Sequence, residues 1–210
     1  AGSEGRGGGG AARADLLLHL HRRQSRHLVA FLETLEPLAP SQVFVSQLNY
    51  ITAGMAAAHN AVTGPDWHVT VSNLGDMTPE SYDLEVLYAD LQAARAWAAA
   101  PGRPAVLFSP DIGDRHTLEV FYREPLTFVG GRRCTDPLKM MMIRTDGSVI
   151  PAHGRCYAVV VGNAHETPLR DIWAGEPFQQ FRATLAAAGG TLPACARCCG
   201  IIGKPAEQGA

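Results

Sequence analysis

The amino-acid sequence predicts an α/β protein, with parallel βα units in its first part and a smaller α+β region after them. Two observations lead to this prediction. Between residues 24 and 125, helix-like and strand-like segments alternate with short connectors, which is typical of parallel βα units. After residue 130, short strand-like runs and two compact helices replace that alternation. Apolar residues make up 46% of the 210 residues and charged residues 18%, a balance that can build a buried core.

The α/β part contains helices and strands that are each predicted from their own pattern. Helices are predicted over residues 24–37, 52–62, 78–100 and 113–124, and strands over residues 42–48, 66–74 and 103–110. Pro37 ends the first helix, and Thr52 is the expected N-cap of the second. Thr78 is the expected cap of the longest helix, with Pro79 in its first turn. About three βα units fit before residue 125, fewer than the eight of a closed βα-barrel.

The α+β part begins with a predicted β-hairpin. Strands are predicted within residues 137–152 and over residues 157–163, and helices over residues 167–175 and 176–190. The hairpin turns at Asp146–Gly147, a strong turn signal. Thr167 is the expected cap of the first helix, which Gly175 ends, and Gly189–Gly190 end the second. We place the boundary between the two parts near residues 125–133.

Residues 1–23 are Gly-rich and are predicted to be disordered or the edge of a fragment. Because the first residue is Ala1 rather than Met, we expect the chain to be the back part of a longer protein. No apolar run reaches the roughly 18 residues of a membrane span, and no secretory signal is visible. The net charge of −2 gives no electrostatic footprint for nucleic acid. These features predict a cytoplasmic protein that binds neither membranes nor nucleic acids.

Five clustered cysteines are the main functional signal. They are Cys134, Cys156, Cys195, Cys198 and Cys199. Without a secretory signal, such clustering favours metal or cluster ligation over disulfides. A hairpin returns the chain to its start, so Cys134 and Cys156 are expected to be neighbours, and the Cys-x-x-Cys pair supplies two thiolates to one centre. Four thiolates are the ligand set of an iron–sulfur cluster or a structural zinc ion, and we expect their sulfurs within roughly 7 Å of one another.

Other candidate residues have simpler interpretations. Cys199 is left over, because adjacent cysteines seldom both point at one ion, and His153 is an alternative ligand. His59, His153 and His165 are each more often ordinary polar residues than ligands. The Met-rich run at residues 139–142 is typical of core filling rather than of a thioether metal site. A redox-active dithiol does not fit the Cys-x-x-Cys pair, because the pair does not open a helix after a strand.

Residues 134–199 resemble the SPASM/twitch auxiliary-cluster domain of radical SAM enzymes. In that domain a Cys precedes a hairpin with an Asp–Gly turn, and a Gly–Asn turn leads to a helix of the pattern pL-x-x-I-W. A second helix with F-x-x-x-R and a final Cys-x-x-Cys complete it. The matching residues are Cys134, Asp146–Gly147, Gly162–Asn163, Pro168 to Trp173, Phe178 with Arg182, and Cys195 with Cys198. The aromatic rings of Trp173 and Phe178 are interpreted as core residues of helices that pack over the cluster loops.

The resemblance implies both a fold and a cofactor. Residues 24–130 resemble the last βα units of a partial TIM-type radical SAM barrel, and residues 131–204 a small α+β SPASM/twitch domain with a β-hairpin and short helices. The implied cofactor is an auxiliary [4Fe–4S] cluster on Cys134, Cys156, Cys195 and Cys198. Such a cluster transfers electrons or positions the substrate, often a peptide or protein, in a radical modification. S-adenosylmethionine and a second [4Fe–4S] cluster are expected only with the missing N-terminal part, and a flavodoxin or ferredoxin is the expected electron donor.

Two departures from the family pattern separate this chain from a complete enzyme. The position of the family's second Cys is Ala152 here, and we infer that Cys156 takes its role through a longer loop. The Cys-x-x-x-Cys-x-x-Cys loop of the catalytic cluster is absent, since no cysteine precedes Cys134. The chain by itself therefore cannot cleave S-adenosylmethionine in the family's way, and truncation is the simplest explanation. The alternative hypothesis is a non-enzymatic peptide-recognition module, either zinc-binding or a degenerate SPASM-like domain.

Overall fold

A three-stranded parallel sheet forms the centre of the α/β part. Its strands are β1 (Asp15–His19), β2 (Gln42–Ser46) and β3 (Ala105–Ser109), hydrogen-bonded in the order β1–β2–β3. The structure, a computed structural model, describes residues 15–20, 26–73, 79–129, 133–152 and 156–198. In the register of the sheet, Phe44 lies between Leu17 and Leu107. The parallel pairing confirms the prediction of βα units in this part of the chain.

In the described part of the chain, four helices accompany these strands. They are α1 (Leu28–Leu35), α2 (Ala53–Thr63), α3 (Leu84–Ala98) and α4 (Arg115–Arg123). Helix α1 ends where Pro37 enters a 3-10 turn, Glu36–Leu38. The predicted cap of α2 is confirmed, because the Thr52 hydroxyl accepts a hydrogen bond from the Met55 N–H at 3.2 Å. In the part of the chain that the structure describes, no helix is long and apolar enough to cross a lipid bilayer.

One face of the sheet is buried and the other is partly open. Val43 and Val45 are fully buried in the same core as Leu28 of α1. Side chains alternate between the two faces of a strand, so Phe44 and its neighbours in register point the other way. On that second face Leu17 is 64% exposed and Leu107 is 43% exposed. The described helices therefore bury one face and leave apolar side chains uncovered on the other.

The start of helix α3 differs from its prediction. Asp83 is the N-cap, and its carboxylate accepts a hydrogen bond from the Val86 N–H at 3.2 Å. Pro79 lies in a separate 3-10 turn, Pro79–Ser81. Thr78, the predicted cap, is outside the described residues. The carboxylate of Asp83 can serve as the cap because its backbone is extended (φ −77°, ψ 100°), which brings the side-chain oxygen to the N–H three residues later.

The predicted strand over residues 66–74 is wrong in its described part. A 3-10 turn, Pro65–Trp67, occupies its beginning, and an isolated β-bridge follows. The N–H and C=O of Val69 bond instead to the side-chain amide of Asn60, at 2.8 and 2.9 Å. Because this side chain from α2 satisfies both backbone groups, the segment stays extended without joining the sheet. Residue 74 lies outside the described residues.

The prediction of a disordered segment over residues 1–23 is wrong at strand β1. Asp15–His19 pairs along its whole length with β2, and Leu20 is fully buried. The apolar run is only a few residues long and follows a Gly-rich stretch, so it gives little periodic signal of its own. Its strand conformation depends on the hydrogen bonds that β2 provides. Residues 1–14 and 21–25 lie outside the described residues.

An antiparallel sheet of three short strands opens the α+β part. Its strands are β4 (Met142–Ile143), β5 (Ser148–Ile150) and β6 (Gly162–Asn163), in the order β4–β5–β6. Gly147 has a φ of 81° in the turn between β4 and β5, so the predicted hairpin is confirmed. The strand predicted over residues 157–163 is shorter, because the Val159 N–H turns back to the Cys156 C=O at 3.1 Å.

Helices α5 (Leu169–Ala174) and α6 (Glu176–Ala187) follow that sheet. The predicted cap at Thr167 is wrong, since Pro168 occupies the N-cap position without a side-chain hydrogen bond. The predicted ends of both helices are confirmed. Gly175 closes α5, and Gly189 and Gly190 follow α6 with φ of 78° and 91°, values that glycine adopts readily.

The two parts of the chain share one core. The rings of Trp67 and Phe181 of α6 pack with centroids 4.3 Å apart. Buried residues from both sheets and from the cysteine-rich end belong to a single hydrophobic cluster. The cysteine-rich end is therefore packed against the α/β part.

Candidate metal centre

Cys195 and Cys198 share one tight turn. A 3-10 helix, Pro193–Arg197, begins after Leu192 and carries Pro193 at its first position. The Cys195 N–H donates to the Leu192 C=O at 2.7 Å, and the Cys198 N–H donates to the Cys195 C=O at 3.0 Å. Residues three apart in a 3-10 turn lie on the same side of it. Both cysteines are buried, with 5% and 7% of their surface exposed, so the turn directs two thiols toward the protein interior.

Cys134 is tied to the segment that leads to this turn. Its N–H donates to the Gly190 C=O at 3.0 Å. A Cβ atom at Gly190 would lie 2.8 Å from the Cβ of Arg133, closer than packed carbons approach. Glycine at position 190 therefore both follows the end of helix α6 and lets the segment of Arg133 and Cys134 approach. The Cys134 side chain is half-buried and packs against the core.

Cys156 lies after the hairpin and is buried. It belongs to the same hydrophobic cluster as Cys195 and Cys198. Ala152, at the family's usual ligand position, is also buried, with 2% of its surface exposed. Both positions thus face the protein interior, and only position 156 carries a thiol.

The donor set fits an iron–sulfur cluster in its chemistry. Three of the four predicted ligands are buried in the hydrophobic core, and the fourth, Cys134, is partly buried and packs against that core. Thiolates are the ligands that iron–sulfur clusters prefer, and burial keeps such a cluster from water. Among the residues that the structure describes, no three His, Cys, Asp or Glu side chains are arranged to hold a metal ion. His153 and Cys199 lie outside those residues, and the convergence of the four thiols stays a prediction.

Arg197 stands between the two cysteines of the turn and is fully buried. Its guanidinium donates hydrogen bonds of 2.8 to 3.0 Å to the carbonyl oxygens of Val120, Phe121, Glu124, Thr127 and Ala196. The carboxyl end of helix α4 supplies most of these acceptors, and it carries the negative end of the helix dipole. Arg197 therefore fastens the cysteine turn to α4. The sequence gives no local sign of this contact.

Arg197 carries a positive charge, but the groups that accept its hydrogen bonds are neutral backbone carbonyls. Burial lowers the pKa of the guanidinium, but arginine stays protonated in proteins. The Tyr50 hydroxyl donates to the Phe121 carbonyl at 2.7 Å, and burial raises the pKa of that hydroxyl. No ion pair between described residues includes Arg197. The turn of the two cysteines thus carries a buried positive charge whose hydrogen-bond acceptors are neutral.

Tyr122 of helix α4 and Tyr82, which packs against it, reach the carboxyl ends of two strands. The Tyr122 hydroxyl donates to Gln47 Oε1 at 2.7 Å, just after β2, and the Tyr82 hydroxyl donates to the Leu20 C=O at 3.3 Å, just after β1. The two tyrosine rings lie 4.5 Å apart. Burial raises the pKa of Tyr82 to about 12 and raises that of Tyr122 as well, so both remain neutral donors. Contacts therefore run without a break from the cysteine turn to the carboxyl edge of the parallel sheet.

The family-pattern residues Trp173, Phe178 and Arg182 form one packed group. The rings of Trp173 and Phe178 are nearly perpendicular, with centroids 5.1 Å apart. The Arg182 guanidinium lies over both rings, 4.2 and 3.9 Å from their centroids. It also donates to the carbonyls of Pro137 at 2.9 Å and Trp173 at 3.0 Å. Helices α5 and α6 are thereby joined to the segment that follows Cys134.

The histidines and methionines singled out from the sequence take different positions. His59 is fully buried, with Nε2 3.2 Å from the Trp67 carbonyl oxygen and Nδ1 3.3 Å from the Ala194 N–H. His165 is exposed beside the hairpin. Of the Met-rich run, Met141 packs against the core while Met140 is 39% exposed, so core filling describes only part of it.

Comparison with known proteins gives a family match over the segment that contains the cysteines. Residues 134–199 match the family model of SPASM, described as an iron–sulfur cluster-binding domain. No curated protein matches the chain significantly. Among solved structures, SuiB of Streptococcus suis matches over 81% of this chain and 36% of its own, with 11% sequence identity and a TM-score of 0.45. The chain thus spans about a third of the length of that protein. The family match begins at Cys134 and ends just after Cys198, and residues 134–199 of this chain are a SPASM iron–sulfur cluster-binding domain.

Proposed function

We propose that the SPASM domain binds one [4Fe–4S] cluster through Cys134, Cys156, Cys195 and Cys198. The observation that carries this proposal is the family match, which encloses all four cysteines. The turn of Cys195 and Cys198 supports it, because it places two buried cysteines on one side of the chain. The bond from Cys134 to Gly190 supports it as well, since it ties a third thiol to the chain that enters this turn.

The cluster is proposed to serve as the auxiliary cluster of a radical SAM enzyme. A thiolate-ligated [4Fe–4S] cluster accepts and donates single electrons. The residues of this chain hold it, exclude water from it and position it against the α/β part. The substrate is proposed to be a peptide or protein, and a reduced flavodoxin or ferredoxin the electron donor. This chain has no cysteine before Cys134, so S-adenosylmethionine chemistry is proposed only for an enzyme of which it is a part.

The open face of the parallel sheet supports a partial barrel. Leu17, Phe44 and Leu107 lie side by side in register, on the face opposite the helices. In a βα-barrel the helices cover the outer face, and branched apolar side chains fill the interior. An apolar inner face left partly exposed is what a portion of such a barrel presents.

Anaerobic reconstitution of the full chain with iron and sulfide tests the proposal. We expect about four irons and four sulfides per chain, with the broad visible absorbance of a [4Fe–4S] cluster. A matched variant with Cys195 and Cys198 both replaced by Ser should take up little of either. A colourless wild-type protein that holds one zinc ion and no iron contradicts the proposal, and indicates a zinc-stabilised module instead.

A further inference from the structure

We propose that Arg197 is the positioning residue of the Cys195–Cys198 pair: its guanidinium holds their turn against the carboxyl end of α4 and places a buried positive charge behind both thiols. This inference rests on the proposed function, because it assigns a role to Arg197 toward the cluster of that domain. It adds a residue that is not a ligand and that the family pattern does not contain.

The Arg197 guanidinium makes an unusually complete set of contacts. Five hydrogen bonds leave one fully buried guanidinium, and all of them end on backbone carbonyls. The Arg197 guanidinium also lies over the ring of Phe121, 4.7 Å from its centroid. Only the planar fork of arginine can serve so many fixed acceptors at once. A lysine at position 197 would keep the charge but would lose most of these bonds.

The side chain of Arg197 and those of the two cysteines leave the turn on different sides. Cys195 and Cys198 lie on one side of the 3-10 turn, because they are three residues apart. Arg197 is two residues after Cys195, so its side chain leaves the turn in another direction. The arginine thus holds the turn from a side other than the one on which the two thiols lie.

The buried positive charge of Arg197 is expected to act on the cluster. Burying a cation is costly unless an opposite charge or dipole compensates it. The carboxyl end of α4 compensates Arg197 in part, through its negative dipole end. A [4Fe–4S] cluster with four thiolates carries net negative charge, and reduction adds one electron to it. A buried cation near such a cluster stabilises the reduced form more than the oxidised form, and so raises the reduction potential.

Loss of the charge at position 197 and access of water to the cluster shift the reduction potential in opposite directions, so the two effects can be told apart. Removing the positive charge at position 197 lowers the potential. Loosening the turn and admitting water raises it, because water favours the more highly charged reduced cluster. A variant that merely damages packing therefore shifts the potential in the direction opposite to the one we expect for loss of the charge.

The experiment compares Arg197→Gln, Arg197→Lys and Arg123→Gln in the full chain. Arg123 is a matched control, because it also donates to two backbone carbonyls, those of Pro79 and Tyr82, but lies outside the cysteine turn. Redox titration of the reconstituted protein gives the potential. Hydrogen exchange of the metal-free protein, followed at the Ala194, Cys195 and Cys198 amides, gives the stability of the turn.

We expect both variants at position 197 to speed exchange at these amides, Arg197→Gln by about tenfold or more. Arg197→Lys loosens the turn but keeps the charge, so its reduction potential should lie at or above the wild-type value, and that of Arg197→Gln should lie below that of Arg197→Lys. Arg123→Gln should change neither readout. If Arg197→Gln does not fold, the exchange rates of Arg197→Lys test the anchoring role instead. Exchange as slow in that variant as in the wild type contradicts the role.

Two further outcomes overturn the inference. Unchanged exchange in Arg197→Gln shows that the guanidinium does not hold the turn, and a reduction potential no lower than that of Arg197→Lys shows that its charge does not act on the cluster. Failure of the proposed function looks different, since the wild-type chain would then take up no iron. In that case, the exchange of the metal-free variants still decides whether Arg197 holds the turn.

Discussion

The imidazole of His59 accepts a hydrogen bond from the backbone N–H of Ala194, at 3.3 Å. Its other ring nitrogen lies 3.2 Å from the Trp67 carbonyl oxygen, which can only accept. The ring therefore fits this site as the neutral tautomer with its proton on Nε2. One side chain from α2 thus links the α/β part to the cysteine turn, and a second proton on the ring would break the link to Ala194.

This arrangement predicts that stability falls in mildly acidic solution. Burial lowers the pKa of His59 below its ordinary value of about 6.5. The unfolded chain therefore binds a proton at a higher pH than the folded chain does. The contribution of His59 is complete above about pH 6.5 and is lost as the pH falls from there toward the lowered pKa.

Urea unfolding of the metal-free protein at about pH 7.5 and about pH 5 measures this effect. We expect a smaller free energy of unfolding at the lower pH, and a weaker pH dependence in His59→Gln. His116→Gln removes an exposed imidazole and serves as the control. Equal pH dependence in His59→Gln and the wild type contradicts the role of His59.

Gly190→Ala should destabilise the protein more than Gly189→Ala. Both glycines have positive φ, so alanine costs about 1–2 kcal/mol at either position. Only at position 190 does the new Cβ also meet Arg133, at 2.8 Å, while nothing lies within 4 Å at position 189. The overlap should add about 1–3 kcal/mol to the cost and move Cys134 away from Gly190.

The measurements are the free energy of unfolding and the iron content after reconstitution. We expect reduced iron in Gly190→Ala and nearly full iron in Gly189→Ala. Equal losses of stability in the two variants would show that the close approach of Arg133 to position 190 does not add to the destabilisation.

Cys198→Ala should lose the cluster, whereas Cys199→Ala should keep it. A cubane left with three thiolates releases an iron readily or decomposes in air. The residue next to Cys198 in sequence leaves the backbone in a different direction, so it is not expected to bind the same cluster. Iron content and visible absorbance after anaerobic reconstitution distinguish the two variants. Full absorbance in Cys198→Ala would remove Cys198 from the ligand set.

Cys156→Ala should lower cluster occupancy more than His153→Ala does. Thiolate is the usual ligand of such clusters, and imidazole ligation is the exception that raises the potential. Because Ala152 is buried at the family's ligand position, Ala152→Cys should recover part of the lost iron in the Cys156→Ala background. Loss of iron in His153→Ala with full iron in Cys156→Ala would assign the ligand to His153.

Local patterns predicted much of the fold. Thr52 caps its helix, Gly147 turns the hairpin, and the glycines after α6 end it, because each of these outcomes depends on residues within one turn of the chain. The sequence pattern also predicted a strand over the segment around Val69. Its backbone groups bond the Asn60 side chain instead, and no local pattern reveals that competition.

The order of the cysteines and the hairpin between them also predicted the candidate ligands from the sequence. The sequence did not predict Arg197 and His59 as residues that hold the cysteine turn in place. Arg197 bonds carbonyls that lie up to 77 residues earlier, and His59 bonds an amide 135 residues later. Such contacts form only when the chain folds, so the spacing of residues along the sequence does not predict them.

By itself, the sequence determined the helices, the hairpin and the cysteine-rich segment of this protein, because periodicity, caps and turns act over a few neighbouring residues. Tertiary structure alone decided that Asp15–His19 is a strand, since its hydrogen bonds come from β2. It also decided that Arg197 fastens the cysteine turn to α4. The physical reason is the same in both cases: a backbone hydrogen bond between distant segments depends on where folding places its two ends, and on no property of either segment alone.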